Sequence, residues 1–363
     1  MSQEIEALAR ACLSRIQDPH TGADLVASGA VRGVGVDGAR VSVDIQLGYP
    51  ARTWRETLAA EVRQALEALP QIEAAAVGVG FRVHSHHVQK ELSPLREIKN
   101  VIAVASGKGG VGKSTTAVNL ALALQAEGAK VGVLDADVYG PSLPLLTATS
   151  GKPESPDGQN FLPKRNHGLQ IMSIGYMIED DTPVIWRGPM VTQALMQLAT
   201  NTLWEDLDYL VIDFPPGTGD IALTLAQRIP MSGAVIVTTP QDVALIDARK
   251  ALRMFEKVEV PLLGIVENMS THVCTNCGHE EPIFGSGGGA RMAQQYDVAL
   301  LGSLPLDIRV RQESDAGTPI VVAEPESDLA ARYRQIARNA AGRLSLQAKN
   351  KAIQFPKIVI QSS

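Results

Sequence analysis

Residues 107–114 read Gly-Lys-Gly-Gly-Val-Gly-Lys-Ser and begin one residue after the apolar run at residues 101–105. This stretch satisfies the G-x-x-x-x-G-K-S pattern of a phosphate-binding loop. In such loops glycines let backbone N–H groups face the phosphates, the lysine places a positive charge beside them, and the serine hydroxyl can bind Mg²⁺. The residues predicted to bind nucleotide here are Gly107, Lys108, Gly109, Gly110, Val111, Gly112, Lys113, Ser114 and Thr115.

The glycines of this loop also spell the G-x-G-x-x-G pattern of a dinucleotide-binding turn. The next apolar run leads to Asp135 and Asp137, where such a turn would bind a ribose. Lys113 and Ser114 favour the phosphate-binding loop, because pyrophosphate recognition by a dinucleotide turn needs neither side chain. The apolar run at residues 210–212 agrees, since it leads to Asp213, the strand-end acid that a Mg²⁺–nucleotide site requires.

Two further segments carry residues suited to a nucleotide site. Asp135 and Asp137 lie within residues 134–141, and two carboxylates beside a triphosphate would repel it unless they act through Mg²⁺ or water. We therefore predict a functional use for both acids rather than helix capping. Residues 214–220 form a Pro- and Gly-rich turn in which a backbone N–H, predicted at Gly217, could sense the γ-phosphate; a plain strand-to-helix connection is the alternative.

Short apolar runs alternate with helix-length segments through most of the chain. The predicted strands are residues 101–105, 131–134, 209–212, 234–237 and 262–266. This alternation predicts an α/β fold, a P-loop NTPase with a mainly parallel, helix-covered sheet, over residues 98–345. Every motif above follows one of these strands, as expected for ligands bound at the carboxyl ends of a parallel sheet.

The remaining segments predict a smaller unit and its connections. Residues 1–84 show an α-β-β-α-β pattern, with Asp37-Gly38 as a hairpin turn, and predict a small α+β domain. Residues 85–97 are polar and are predicted to be a linker, and residues 346–363 an irregular C-terminal tail. The histidines around the linker could bind metal, but we predict that they are solvated: His84, His86 and His87.

The composition narrows the class of protein. The chain has 363 residues, a formal net charge of -6 and no cationic excess, so neither nucleic acid nor a membrane is expected as a partner. Three cysteines are an odd number and do not suggest a disulfide framework, which favours a reducing compartment, the cytoplasm. Charged residues interrupt the first segment, so we expect no signal peptide, and no segment is apolar enough to span a bilayer.

Lys108 beside the second glycine makes the loop a deviant Walker A motif, as in the MinD, ParA and nitrogenase iron-protein relatives. Across both its parts, the chain resembles the Mrp/ApbC iron–sulfur cluster carriers. The resemblance implies a face-to-face homodimer that hydrolyses ATP, in which Lys108 reaches the partner's phosphates and Lys113 contacts its own. It also implies that Asp137 positions the attacking water, Asp213 holds Mg²⁺ indirectly and Asn268 recognises adenine. Asn268 as a plain strand-end polar residue is the alternative.

Cys274 and Cys277 form a C-x-x-C pair on a predicted loop, where both thiolates can bind one centre. Zinc and cubane clusters commonly take four protein ligands, and a symmetric dimer would bring two such pairs together. A one-chain zinc site with His272 and His279, a redox dithiol and an unremarkable loop remain alternatives. Cys12 lies on the apolar stripe of the first predicted helix and is assigned no role.

Together these features predict a homodimer that holds a labile [4Fe-4S] cluster between the two Cys274–Cys277 pairs. It would receive the cluster from an assembly scaffold and deliver it to apo iron–sulfur proteins, with Mg²⁺–ATP turnover shifting the dimer between holding and releasing states. Two other classes remain open. One is a positioning ATPase like MinD or ParA, and the other is an escort ATPase clamped by zinc.

Overall fold

The computed structural model describes residues 2–90, 92–177, 188–274 and 276–349, and it contains two sheet-based parts. The N-terminal part consists of α1 (Ser2–Leu13), β1 (Val31–Asp37), β2 (Arg40–Leu47), α2 (Arg55–Glu67) and β3 (Ala74–Phe81). Its three strands are ordered β1-β2-β3, with β1 antiparallel and β3 parallel to β2. The small α+β domain predicted from the sequence is present.

The sequence placed the hairpin turn of this domain one residue early. Asp37 pairs with Arg40, so the turn residues are Gly38 and Ala39. Gly38 has φ 59°, in the left-handed region that glycine adopts without steric cost. The register this turn sets buries alternate residues of β2 and leaves the others exposed or half-buried.

The second part is a larger α/β unit. In chain order its elements are β4 (Ile98–Ala105), α3 (Lys113–Ala126), β5 (Val131–Asp135), α4 (Leu143–Leu146), β6 (Lys164–Asn166), β7 (Leu169–Ser173), a 3₁₀ turn (Ile174–Met177), α5 (Gly188–Asn201), β8 (Leu207–Asp213), α6 (Asp220–Arg228), β9 (Gly233–Thr238), α7 (Asp242–Lys257), β10 (Leu262–Glu267), β11 (His272–Val273), β12 (Glu280–Glu281), α8 (Gly288–Gln295), β13 (Leu300–Ser303), α9 (Ile308–Asp315), α10 (Ile320–Ala323) and α11 (Asp328–Ser345).

Eight strands form the central sheet in the order β13-β10-β9-β4-β8-β5-β7-β6. All neighbouring pairs are parallel except β6 with β7, at one edge. Every residue of β5, β7 and β9 is buried, and α3, α7, α8 and α11 pack against strands of the sheet. The predicted fold class, a mainly parallel and helix-covered sheet, is confirmed. The exact domain division at residues 84, 97 and 345 stays a prediction.

The chain between the two parts is more tightly held than the sequence suggested. His86 is buried, with its Nδ1 2.9 Å from Asn100 Oδ1, so the prediction of solvated histidines was wrong for this residue. Gln89 donates hydrogen bonds to the carbonyls of Ala226 and Ile229 at the end of α6. Lys349 forms an isolated bridge with His86, and most of the predicted C-terminal tail lies outside the described residues.

Candidate functional site

The phosphate-binding loop connects the carboxyl end of β4 to the N-terminus of α3. Gly110 and Gly112 both have φ 80°, a conformation that favours glycine. A Cβ on Gly107 would lie 2.0 Å from the carbonyl carbon of Asp247, so helix α7 leaves no room there for a side chain. The N-cap residue of α3 is Gly112, which has no side chain to cap the first turn. The N–H groups of this turn therefore suit an anion.

The side chain of Lys113 lies between two carboxylates. Its Nζ is 2.6 Å from Asp213 Oδ1 and 3.4 Å from Asp137 Oδ2, and all three side chains are buried. Burial raises the pKa of Asp213, and the ammonium of Lys113 opposes that rise. The structure thus brings together three residues that the sequence predicted as parts of one site from three separate motifs.

One oxygen on each of these two acids lacks a partner. Asp137 Oδ1 and Asp213 Oδ2 are buried without a hydrogen bond from any described residue. Buried polar atoms are nearly always satisfied, so a missing partner here points to a cation or ordered water. Carboxylate and hydroxyl oxygens are the ligands that Mg²⁺ prefers, and the Ser114 hydroxyl lies 3.4 Å from Lys113 Nζ in the same pocket. These residues therefore fit a magnesium ion.

Asp135 is fully buried and supports the loop that carries Asp137. Burial, followed by the nearby charge of Asp213, raises the pKa of Asp135 to about 7, although the groups bonded to it oppose the rise. Its carboxylate accepts hydrogen bonds from the backbone N–H groups of Asp137, Ser142 and Leu143 and from the Ser173 hydroxyl. Its oxygens are thus engaged in holding the loop, and the predicted contact with nucleotide remains a prediction.

Two residues predicted to contact nucleotide form hydrogen bonds with the phosphate-binding segment itself. Gly217, with φ 85°, donates its N–H to the carbonyl of Ser106 at 2.9 Å, so this N–H is not free to sense a phosphate. Asn268 follows β10 and donates from Nδ2 to the carbonyl of Val111 at 2.9 Å. Both contacts tie neighbouring strands to the loop. The adenine contact of Asn268 remains a prediction.

Lys108 differs from Lys113 in its surroundings. Its side chain is half-buried and makes no ion pair within the described residues, while its carbonyl accepts a hydrogen bond from the Ser106 hydroxyl. The charge is therefore available to a group outside this chain. The predicted contact with a partner's phosphates remains a prediction.

Cys274 and Cys277 lie at the tip of the short β11–β12 hairpin, where Cys277 is exposed and Cys274 half-buried. The backbone N–H of Asn276, then that of Cys277 and its thiol, lower the pKa of Cys274. This favours the thiolate, the form that binds metals. Among the described residues, no three His, Cys, Asp or Glu side chains are placed to hold a metal together.

Both Asn268 and the cysteine hairpin follow strand β10 along the chain. Cys274 follows Asn268 by six positions. Two backbone hydrogen bonds join the intervening residues to the segment after β13. The Ser270 N–H donates to the Leu304 carbonyl at 2.9 Å, and the Leu306 N–H donates to the Thr271 carbonyl at 2.7 Å. The cysteine pair is therefore joined to the phosphate-binding loop by a short, well-bonded segment.

Sequence reasoning missed two supporting residues. Ser173 ends β7, a strand that was not predicted although Leu169, Ile171 and Met172 are apolar. Its hydroxyl donates a hydrogen bond to Asp135. Glu267 is buried at the end of β10 and accepts the backbone N–H of Gly289 in the first turn of α8. A glutamate ending an apolar run just before Asn268 was the available signal.

Cys12 has the surroundings of a structural thiol. It donates a weak hydrogen bond to the Ala65 carbonyl, and burial raises its pKa.

Among the helices of the described residues, none combines the length and apolar character needed to cross a bilayer.

Comparison with known proteins agrees with this geometry. The family described as ParA, NUBPL iron-transfer P-loop NTPase, matches residues 97–341, and the family described as iron-sulfur cluster assembly protein matches residues 6–79. The iron-sulfur cluster carrier protein of Escherichia coli (strain K12) is 62% identical over 253 residues, which cover 69% of each chain. That of Haemophilus influenzae is 48% identical over 336 residues, 92% of this chain and 91% of the relative.

A solved structure is similar as well. It is a nucleotide-binding protein from Archaeoglobus fulgidus in complex with ADP, with TM-score 0.57 and 38% identity, and the match covers 64% of this chain and 91% of that one. The family match spans more than half of the chain and includes the loop, both unpartnered carboxylates and the cysteine hairpin. The chain belongs to the NUBPL iron-transfer family of P-loop NTPases.

Proposed function

We propose that this protein is an ATP-hydrolysing iron–sulfur cluster carrier. Two copies of the chain would hold a labile [4Fe-4S] cluster between their Cys274–Cys277 pairs and pass it to apo-proteins. The observation that carries the proposal is the short connection between the two sites: Asn268 bonds the phosphate-binding loop at Val111 and leads within six positions to Cys274. A nucleotide-dependent shift of this loop would move the cysteine hairpin.

The nucleotide half of the proposal rests on the buried charges. Lys113 would contact the phosphates, while Ser114 and Asp213 would hold Mg²⁺, directly or through water. Bound Mg²⁺ would neutralise charge on the β- and γ-phosphates. Asp137, whose Oδ1 is unpartnered, would orient the water that attacks the γ-phosphorus. Lys108, unpaired within the described residues, would stabilise the phosphates bound by the second copy.

The cluster half rests on the cysteine hairpin. A cubane cluster takes four thiolates, and each chain offers two at an exposed tip. Two copies related by a two-fold axis would supply all four ligands. Such a shared and accessible site would let a small change in subunit angle loosen the cluster for transfer. An assembly scaffold would load the carrier, and the natural setting is the cytoplasm.

The test is a transfer assay under anaerobic conditions. Cluster-loaded protein is mixed with an apo-enzyme that needs a [4Fe-4S] cluster, and recovered activity is followed with saturating Mg²⁺–ATP or without nucleotide. We expect nucleotide to change the transfer rate in the wild type and to have no effect in Lys108→Ala or Lys113→Ala. Equal rates in all samples would show that ATP turnover and cluster transfer are unconnected.

A further inference from the structure

A buried polar cluster joins the N-terminal domain to the far end of helix α3. Glu127, the fully buried residue that follows α3, accepts the Thr53 N–H at 2.9 Å and the Thr53 hydroxyl at 2.5 Å. It also forms an ion pair with Arg338 of α11, and its carbonyl accepts the Arg52 N–H at 3.0 Å. Two backbone N–H groups of the N-terminal domain are therefore bonded across this interface.

His20 completes the cluster from the N-terminal side. Arg338 Nε lies 3.0 Å from His20 Nε2, and His20 Nδ1 lies 2.7 Å from Asn339 Oδ1. Asn339 Nδ2 donates to the Leu301 carbonyl, so Asn339 Oδ1 is the accepting atom and His20 Nδ1 must carry the hydrogen. Nε2 is then a bare lone pair that accepts the Arg338 N–H. The docked arrangement requires a neutral imidazole.

We infer that His20, Arg338 and Glu127 form a proton-sensitive latch that holds the N-terminal domain against the ATPase domain. A second proton on His20 can enter only at Nε2. There it would face the Arg338 N–H, so two donors and two positive charges would meet without an acceptor between them. Protonation therefore separates Arg338 from His20 and weakens the docking of the N-terminal domain.

The groups around His20 decide the pH at which this occurs. Asp18, from its own loop, has both oxygens bonded to the Tyr49 hydroxyl at 2.9 Å, and the Tyr49 and Trp54 rings contact the imidazole edge-on. The charges of Asp18 and of Glu127, at the end of α3, favour the protonated ring. On α11, the hydrogen bond to Asn339 also favours the protonated ring, whereas the positive charge of Arg338 disfavours it.

Burial has the largest effect, and it lowers the pKa of His20. An undocked His20 should titrate near pH 6.5. The docked form resists protonation. Docking of the N-terminal domain is therefore most favourable above about pH 6.5, and it becomes less favourable as the pH falls below that value. A single proton limits this loss to about tenfold per pH unit.

The position of this latch gives it consequences for the whole chain. Helix α3 carries Lys113 at its first residue and ends next to Glu127. The N-terminal domain is therefore docked at the end of α3 opposite the phosphate-binding loop. Opening the latch would free this domain, which matches a cluster assembly family, while the nucleotide pocket stays intact. The inference rests on the interface contacts and not on the proposed function.

The test is amide hydrogen exchange of the full chain between pH 8 and pH 5, with rates corrected for intrinsic exchange. The reporting amides are Arg52 and Thr53, which are bonded to Glu127. In the wild type we expect their protection to fall below about pH 6.5 by up to about tenfold per pH unit. In His20→Gln, whose side chain cannot gain a proton in this range, protection should not depend on pH.

Two further variants test the roles of His20 and Arg338 separately. His167→Gln removes another half-buried histidine, one that bonds the Gly317 carbonyl, and it should titrate like the wild type. Arg338→Gln removes the opposing donor, so protection should be lower at every pH and its pH dependence smaller. Amide protection that does not change with pH in the wild type would overturn the inference. So would a fall in protection at low pH that is equally large in His20→Gln. If His20→Gln does not fold, the same comparison is made with Arg338→Gln.

Discussion

Two lysines of one loop have different surroundings, and this separates their roles. Lys113 is buried against Asp137 and Asp213, whereas Lys108 is half-buried with no ion pair within the described part of the chain. The sequence predicted Lys113 as a nucleotide contact from the loop pattern, and Lys108 from the family resemblance. It could not show that Lys113 also lies between two buried carboxylates, because the closer contact, with Asp213, joins residues 100 positions apart.

We therefore predict that Lys113→Ala and Lys108→Ala both lower the rate of ATP hydrolysis, and that only Lys113→Ala also lowers the stability of the fold. Removing one partner of a buried ion pair leaves an uncompensated charge and costs about 3–5 kcal/mol. Chemical denaturation without nucleotide should show a loss of that order for Lys113→Ala and little change for Lys108→Ala. Equal stability of the two variants would contradict the placement of Lys113.

Cys274 allows a second prediction at this scale. Hydrogen bonds from the backbone N–H groups of Asn276 and Cys277 favour the thiolate, which lowers the pKa of Cys274. Its alkylation by iodoacetamide, followed by mass spectrometry in a Cys12→Ala, Cys277→Ala background, should reach its half-maximal rate below the pH of an ordinary thiol, about 8.5. This background keeps the Asn276 contact, the largest cause of the shift. A midpoint at or above 8.5 would mean that the hairpin does not favour the thiolate.

Among the secondary-structure elements, helix α7 packs so closely against Gly107 that the phosphate-binding loop has no room for a side chain there. A Cβ at Gly107 would overlap the backbone of α7, whereas nothing lies within 4 Å of a Cβ at Gly109. Gly107→Ala should therefore displace α7 and weaken both folding and ATP binding, measured by denaturation and calorimetry. Gly109→Ala should fold normally. A stable Gly107→Ala variant with unchanged ATP affinity would show that α7 can move away.

The sequence predicted the strands that carry the site, but it did not predict the neighbouring strands or the buried contacts around them. Five apolar runs gave five strands of the central sheet, because buried parallel strands read as continuous apolar segments. β13, β7 and the short edge strand β6 were missed. His86 was predicted to be solvated in a polar linker, and its burial depends on Asn100, a partner that only the tertiary fold supplies.

For the whole molecule, the proposed dimer requires a contact surface close to the phosphate-binding loop. Large apolar side chains are exposed near the loop: Tyr139 at 78%, and Val243 and Ile246 on α7 at 66% and 52%. An exposed apolar surface beside a charged pocket suits a nucleotide-dependent contact. Sedimentation should show more dimer with Mg²⁺ and a non-hydrolysable ATP analogue than without nucleotide, and Val243→Asp should reduce that gain. A monomer under all conditions would remove the basis for a shared cluster.

The proposed function requires two cysteine pairs to share one cluster. The most direct measurement is iron, sulfide and zinc analysis after anaerobic reconstitution of the wild type, of Cys274→Ala with Cys277→Ala, and of Cys12→Ala as a matched control. We predict about four iron and four sulfide per dimer in the wild type and in Cys12→Ala, and none in the double variant. Tightly held zinc without iron, or iron retained by the double variant, would contradict the account.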